Sequence, residues 1–304
     1  MDRQELIRHL KYCTALPLDL KIAYTKKRIK QFYDELDGQI YISFSGGKDS
    51  TVLLHIAREM YPDIKGVFLN TGLEYPEIIE YIKTWDNIEY IRPKHSFKTV
   101  IEQYGYPCIS KDVANKIKSY QRTKQERLKD KILNGDEKGY GKLSKCWHFL
   151  LDAPFKISDE CCYHLKKSPA KHFEKETGLS PVIGTMVEDS RLRENAYYKR
   201  GGCNSFNDRR NMSTPMSFWT EKDVWDYIRQ FNVPYSKIYD MGYKNTGCAF
   251  CLFGLNMQEH PNKFELMKET HPKMYEYCMN KLNLKDIIEF IDNKGNCNSQ
   301  CRLF

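Results

Sequence analysis

The 304-residue chain contains no run of the roughly 18–20 consecutive apolar residues that a membrane-crossing helix needs. Its opening stretch, MDRQELIRHLKY, carries charge throughout and lacks the apolar core of an export signal. Membrane insertion and secretion are therefore not expected, and the expected location is the cytoplasm. Two nucleotide-binding signatures are also missing. Neither the G-x-x-x-x-G-K-[ST] loop of kinase-type NTPases nor the G-x-G-x-x-G loop of dinucleotide oxidoreductases occurs, which counts against both classes. There is no internal repeat and no low-complexity tract. With 41% hydrophobic and 29% charged residues, the chain has the mix of a globular protein and enough length for one large domain or two small ones.

Cysteine and positive charge, by contrast, are plentiful. Eleven cysteines, an odd number without an export signal, argue against a disulfide framework and for metal ligation or thiol chemistry. The 48 basic and 40 acidic residues leave a net +8, which suits an anionic partner such as a nucleotide or a nucleic acid. Residues 110–145 hold eleven Lys/Arg against five Asp/Glu, so most of the excess lies there. A solvated helix face is the competing reading of such a run.

The hydrophobic pattern alternates strands with helices. The first forty residues read as helical, and Ile40–Phe44 is a short β-branched and aromatic run typical of a buried strand. Two glycines follow, and helical spacing resumes from Lys48 to Met60. Val67–Leu69 predicts a second strand, 77–85 a helix, Ile88–Ile91 a third strand and Val182–Ile183 another. Such βαβ alternation predicts a mainly parallel sheet flanked by helices. The basic stretch 110–145 reads as a helical insert. Helical pattern returns after Pro215, where Thr220 can cap a helix together with Asp223. Trp219, Trp225 and Tyr227 at near-helical spacing are expected to be core residues, and His148 and His164 have no spacing that suggests a metal pair.

Ser45-Gly46-Gly47-Lys48-Asp49-Ser50 falls at a strand-to-helix junction. Backbone amides at a helix N-terminus are unpaired and carry partial positive charge, so this is a place for phosphate. The glycines let the backbone approach closely, Lys48 can neutralise charge, Ser45 and Ser50 can donate hydrogen bonds, and Asp49 can hold Mg²⁺. The competing reading is a glycine turn that only closes a βα unit.

The cysteines form a second constellation. Cys161-Cys162 and Cys248-x-x-Cys251 stand 86 residues apart. Adjacent cysteines cannot readily chelate one tetrahedral zinc, but they can reach different irons of a [4Fe–4S] cluster. A zinc site or buried free thiols remain the other readings. Cys146 or Cys203 can stand in as a ligand, or serve as a sulfur-carrying nucleophile. Cys297 and Cys301 lie in the tail, where Arg302 adjoins Cys301.

SFSGGKDSTVLL resembles the PP-loop of the ATP pyrophosphatase superfamily, and two further segments are similar to its phosphoadenylyl-sulfate (PAPS) reductase branch. Asn70-Thr71-Gly72-Leu73-Glu74-Tyr75-Pro76-Glu77 is similar to that branch's TGxExPE-like segment near the nucleotide, which implicates Thr71, Gly72 and Glu74. Gly184–Arg193 is similar to its G-x-R-x-x-(E/D)-S-x-x-R segment, but Met186 stands where the family usually has Arg, leaving Arg191 or Arg193 to meet an anion. The paired cysteines look like the [4Fe–4S] motif of assimilatory adenylyl-sulfate reductases. The resemblance covers about residues 35–255 and implies an adenine nucleotide alpha hydrolase-like α/β fold with a five-stranded sheet. The implied organisation is a helical segment 1–35, a PP-loop domain 36–255 with its basic insert, and a helical tail 256–304.

Two chemistries compete within the resemblance. One is ATP cleavage to AMP and pyrophosphate that activates an acceptor for sulfur transfer, with Lys48, Asp49, Arg191 and Arg193 as the catalytic set and a cluster near the active site. The other is a thioredoxin-dependent PAPS or adenylyl-sulfate reductase. An intact SGGKDS loop and the absence of the reductases' ECGLH-like tail motif favour the first. A nucleic-acid-binding accessory protein without catalysis is a third reading. The expected cofactors are ATP with Mg²⁺ and a [4Fe–4S] cluster. The expected partners are a tRNA or DNA acceptor and a sulfur-donor protein or thioredoxin-like reductant.

Overall fold

A computed structural model describes residues 2–207 and 210–294. The chain divides into two compact units.

The first unit comprises the residues through Asn70, Tyr75–Arg92 and Pro169–Asp240. Strands Ile40–Ser43, Gly66–Leu69, Ile88–Ile91 and Ser180–Ile183 run parallel, with Ile42 opposite Gly66 on one side and Val182 on the other. Ile42 and Val182 have no exposed surface. A central parallel strand is covered on both faces, which explains its unbroken apolar character. Two short strands, Met212–Ser213 and Asn204–Ser205, extend the sheet beyond Ser180–Ile183. The last pairing is antiparallel. The sheet therefore has six strands where the family resemblance implies five. Strands of two residues carry too little periodicity to be read from sequence.

Helices Leu18–Glu35, Lys48–Met60 and Glu221–Gln230 pack on one another. The third begins with the expected cap: the Thr220 hydroxyl accepts from the Asp223 amide, and Asp223 returns a bond to the Thr220 amide. The same Asp223 carboxylate receives buried Lys21 at 2.6 Å. Trp219 and Tyr227 are fully buried, and the Trp219 indole donates to Thr25.

The second unit comprises Thr71–Glu74, Pro93–Ser168 and the chain from Met241 onward. It is largely helical, with Phe97–Tyr104, Lys111–Arg122, Glu126–Asn134, Lys263–Thr270 and Leu284–Lys294. A parallel pair, Cys108–Ile109 with Leu252–Phe253, joins its early and late segments. The basic insert is helical, as its pattern predicts. Among the described residues, no helix is long and apolar enough to cross a membrane.

Candidate active site and thiol cluster

In the first unit the chain leaves strand Ile40–Ser43 through Phe44 and Ser45 and enters helix Lys48–Met60 with Gly47 as its N-cap. Gly46 has φ +73°, and a Cβ there would stand 2.8–2.9 Å from Ile82 and Ile78. A side chain is excluded twice, by backbone conformation and by space. The loop is braced internally. The Ser50 hydroxyl donates to the Gly47 carbonyl at 2.9 Å and lies 3.0 Å from the Ser45 hydroxyl, and the Ser45 amide donates to Ser50 Oγ at 3.1 Å.

Lys48 is buried at 3% exposure. Its Nζ stands 3.3 Å from Glu221 and 3.7 Å from Asp49, and its amide donates to the Tyr239 hydroxyl at 2.8 Å. Burial would lower its pKa, but Asp49, Tyr239 and Glu221 outweigh that and raise it, so the ammonium is kept. Burial pushes the Asp49 carboxyl up, against the opposing pull of Lys48 and Arg193. One carboxylate oxygen, Oδ1, is buried without a hydrogen-bond partner. Tyr239 is held edge-on to Trp225 at 5.3 Å. Tyr239 and Glu221 were not legible as site residues, since nothing local marks positions so far along the chain.

The Ser190 hydroxyl accepts from the Arg193 amide and caps helix Arg191–Arg200. Arg193 pairs with Asp189, its charge is felt by Asp49, and Arg191 is exposed. Met186 is 2% exposed, so this residue sits in the core rather than presenting a charge.

In the second unit the Thr71 hydroxyl donates to Glu74 at 2.6 Å, and the Leu73 amide donates to the same carboxylate at 3.1 Å. The Leu73 carbonyl accepts from the Ala249 amide at 2.9 Å, which ties this turn to the Cys248-x-x-Cys251 segment. Cys161 and Cys162 lie on a short helical turn, Glu160–Cys162, that runs into a π-helical turn at Tyr163–Lys167.

All four thiols gather there. Cys161 bonds Cys162 and lies within electrostatic reach of Cys248 and Cys251. The Cys162 thiol is held below its ordinary range by its bond from Cys161 and, despite burial, by Lys111, Lys166 and Lys167. Burial raises Cys251. Lys263 Nζ donates to the Cys248 carbonyl at 3.2 Å. Among the described residues, no three His, Cys, Asp or Glu converge on one point as ligands of a single ion do. Cys108, paired opposite Leu252, lies within electrostatic reach of Cys251 and had no motif to announce it.

The substitute ligands are placed differently. Cys203 belongs to the first unit, is buried, and has its thiol pushed up to about 12 by burial. Cys146 lies in the second unit with its sulfur 3.2 Å from the Ser144 hydroxyl. His148 meets the Leu143 carbonyl at 3.2 Å, and His164 stacks on Tyr104 at 4.4 Å. Cys297 and Cys301 lie outside the described residues.

An uncharacterized protein of Methanocaldococcus jannaschii is 25% identical over 256 residues, 81% of this chain and 49% of that protein. The chain thus spans about half the length of that relative. An adenosine 5'-phosphosulfate reductase of Geobacillus kaustophilus is 28% identical over 221 residues, 72% of this chain and 75% of the enzyme. Among solved structures, the phosphoadenylyl-sulfate reductase of Candida auris in its phosphate complex aligns over 82% of this chain and 88% of its own, with 15% identity and a TM-score of 0.41. The family model described as the phosphoadenosine phosphosulfate reductase domain matches residues 39–136 and 90–252. That match takes in the glycine loop, both cysteine pairs and the sheet that carries the loop, and the chain belongs to the phosphoadenosine phosphosulfate reductase family.

Proposed function

We propose that this chain is a PP-loop enzyme that cleaves ATP between its α- and β-phosphates to activate an acceptor for sulfur transfer. The observation that carries the reading is the complete loop with its buried, charged Lys48. A lysine that gives up solvent and keeps its proton is costly unless an anion meets it. Here the carboxylates of Glu221 and Asp49, at 3.3 and 3.7 Å, hold Lys48 as the ammonium at the head of the loop helix.

In this reading Ser45, Gly46, Gly47 and Ser50 surround the β- and γ-phosphates, and Lys48 neutralises the charge that grows on the leaving pyrophosphate. An acceptor oxygen attacks the α-phosphorus, the bond to the bridging oxygen breaks, and pyrophosphate departs with the electron pair. A sulfur nucleophile then displaces AMP from the adenylylated acceptor. Arg193 and Arg191 meet the second anionic group. Mg²⁺ fits Asp49, whose buried Oδ1 lacks a hydrogen-bond partner, and would bring charge neutralisation to the phosphates.

Four thiols within electrostatic reach of one another are the soft donor set that a [4Fe–4S] cluster takes. Cys161, Cys162, Cys248 and Cys251 would hold it, and it would supply soft iron for binding sulfur or moving electrons. The nearby lysines favour the thiolate form that ligation requires.

A second reading, an adenylyl-sulfate or PAPS reductase, is favoured by the reductase relative at 28% identity. In that case a sulfonucleotide occupies the loop and sulfite is the final product. The test uses anaerobically purified protein with ATP labelled at the α-phosphate, and in parallel PAPS or adenylyl sulfate with thioredoxin. AMP and pyrophosphate from ATP support the first reading. Sulfite without ATP cleavage overturns it in favour of the second.

A further inference from the structure

A groove of about 490 Å³ opens in the second unit, lined by residues that the chemistry above does not use. Its walls come from three segments: Tyr104 at the end of helix Phe97–Tyr104, Gln121 and Arg122 in the last turn of Lys111–Arg122, and the stretch through Phe155 and Lys156. The volume falls within the range of roughly 300–1,000 Å³ found for small-molecule sites.

The walls are fixed rather than draped. The Tyr106 amide donates to the Lys156 carbonyl at 2.8 Å, and the Ser158 amide donates to the Tyr106 carbonyl at 3.0 Å. The two segments approach so closely that a Cβ on Gly105, at φ +111°, would stand 2.5 Å from the Lys156 backbone. Phe155 packs edge-on against Tyr106 and Phe290 at 6.0 and 5.3 Å, and Tyr104 stacks on His164. Both lining rings are therefore held in place while still half-buried at the groove.

The lining contains two cations, Arg122 and Lys156, and no carboxylate; Arg122 lies 3.7 Å from Glu160, which also pairs with Lys118. Past Arg122, the insert continues with Lys124, Arg127, Lys138, Lys142 and Lys145, all exposed. None of these five makes an ion pair among the described residues, whereas Lys116, Lys118 and Lys129 each do. A solvated helix face normally interleaves charges that compensate one another. Here Lys124, Lys138 and Lys142 lie between the helical segments, while Arg127 shares its helix with the paired Lys129 and Lys131. Exposed cations in excess of their counter-charges beside an aromatic slot form the pattern that takes a phosphate backbone and stacks its bases.

We propose that this groove and the basic segment after it bind single-stranded nucleic acid, with an unstacked base against Tyr104 and Phe155 and the flanking phosphates on Arg122, Lys156 and the insert lysines. The proposal rests on the nucleic-acid acceptor part of the sulfur-transfer reading and locates where that acceptor docks. A duplex keeps its bases stacked and offers no ring to the slot, so the slot discriminates for single strands.

The experiment is fluorescence anisotropy on the full chain with labelled U12, dT12, a duplex of matched length and unlabelled polyphosphate as competitor. The single strands are expected to bind at least about tenfold more tightly than the duplex at equal salt. Tyr104→Leu is expected to weaken that binding about tenfold and Tyr104→Phe to restore it. Arg122→Gln combined with Lys156→Gln is expected to weaken both U12 and dT12 and to flatten the salt dependence by about one to two ionic contacts. Thermal melts of Tyr104→Phe and the glutamine pair confirm that these proteins are folded.

Equal affinity for duplex, single strand and polyphosphate, with Tyr104→Leu unchanged in a folded protein, overturns the proposal. A preference for U12 over dT12 identifies RNA as the ligand, and the reverse identifies DNA. Pyrophosphate release from ATP is measured on the same proteins without nucleic acid. If it persists while no strand binds, the groove assignment fails alone. If strands bind and ATP is not cleaved, the ATP reading fails and the groove stands.

Discussion

The amide of Lys48 donates to the hydroxyl of Tyr239 at 2.8 Å, across 191 residues of sequence. The first turn of the loop helix would otherwise present this N–H unpaired. The hydroxyl thus occupies a position where a phosphate oxygen would be welcome. Above it, Lys48 Nζ lies 5.6 Å from the Tyr239 ring centre and 3.3 Å from Glu221. The loop's amide and ammonium are met by polar groups of the protein itself.

Lys48→Ala removes the one buried ammonium of the loop. Pyrophosphate release is expected to fall about 100- to 1,000-fold, the range seen when a preorganised charge-stabilising group is lost. Tyr239→Phe removes only a neutral hydrogen bond and is expected to change nucleotide affinity by less than about tenfold. Isothermal titration with a non-hydrolysable ATP analogue, together with rates, separates the two. A Lys48→Ala protein that binds and turns over nucleotide like the parent refutes the loop assignment.

Asp49 gives a pH dependence with a definite sign. Burial raises its pKa in the folded protein, so the folded state holds a proton more tightly than the unfolded chain does. Ionised Asp49 therefore costs stability above its folded pKa, and that cost fades as pH falls through it toward the ordinary carboxylate range. The melting temperature of the parent minus that of Asp49→Asn is expected to become more positive as pH falls from neutral into the ordinary carboxylate range near pH 4. Nucleotide turnover should move the other way, with the Asn variant losing its response to Mg²⁺. A melting difference that is flat with pH contradicts the buried-carboxylate assignment.

Gly46 is the point where the loop tolerates no side chain. Gly46→Ala combines a φ of +73° with contacts of 2.8–2.9 Å to Ile82 and Ile78, and a loss of about 1–3 kcal/mol in urea unfolding is expected. Part of that cost is steric and part is conformational. In a double-mutant cycle with Ile82→Ala the two changes are expected to cost less together than separately, because losing Cγ1 and Cδ1 relieves two of the three close contacts but not the backbone. Strict additivity would place the effect in the backbone and the Ile78 contact rather than in Ile82.

Legibility of the fold in the sequence depended on how local each cause was. Ile40–Ser43, Ile88–Ile91 and the Thr220–Asp223 cap were readable because their signals lie within a few residues. The loop was readable for the same reason: strand, glycines and helix start are contiguous. Tyr239 and Glu221 were not, since only tertiary packing brings them to Lys48. The short strands Asn204–Ser205 and Met212–Ser213 lack enough residues to show a period. For the cysteines, spacing singled out Cys161, Cys162, Cys248 and Cys251 but could not rank Cys203, whose burial in the first unit is a property of the fold.

That placement separates the cysteines experimentally. Cys161, Cys162, Cys248 and Cys251 share one neighbourhood with Lys166 and Lys263, while Cys203 is buried beside Tyr197 with its thiol pushed up to about 12. Anaerobic protein reconstituted with iron and sulfide is expected to hold about four irons and a broad absorbance near 400 nm if the four thiols carry a cubane cluster. Cys161→Ser or Cys251→Ser should lose most of that iron, whereas Cys203→Ala should retain it and pay only a packing cost. In the iron-free folded protein Cys203 is expected to resist iodoacetamide at pH 8, because the thiolate is the reacting form and burial suppresses it. Cys162, whose thiol is held low by Cys161 and by Lys111, Lys166 and Lys167, should be alkylated first. Loss of iron on Cys203→Ala with full retention on Cys251→Ser would place the ligands elsewhere.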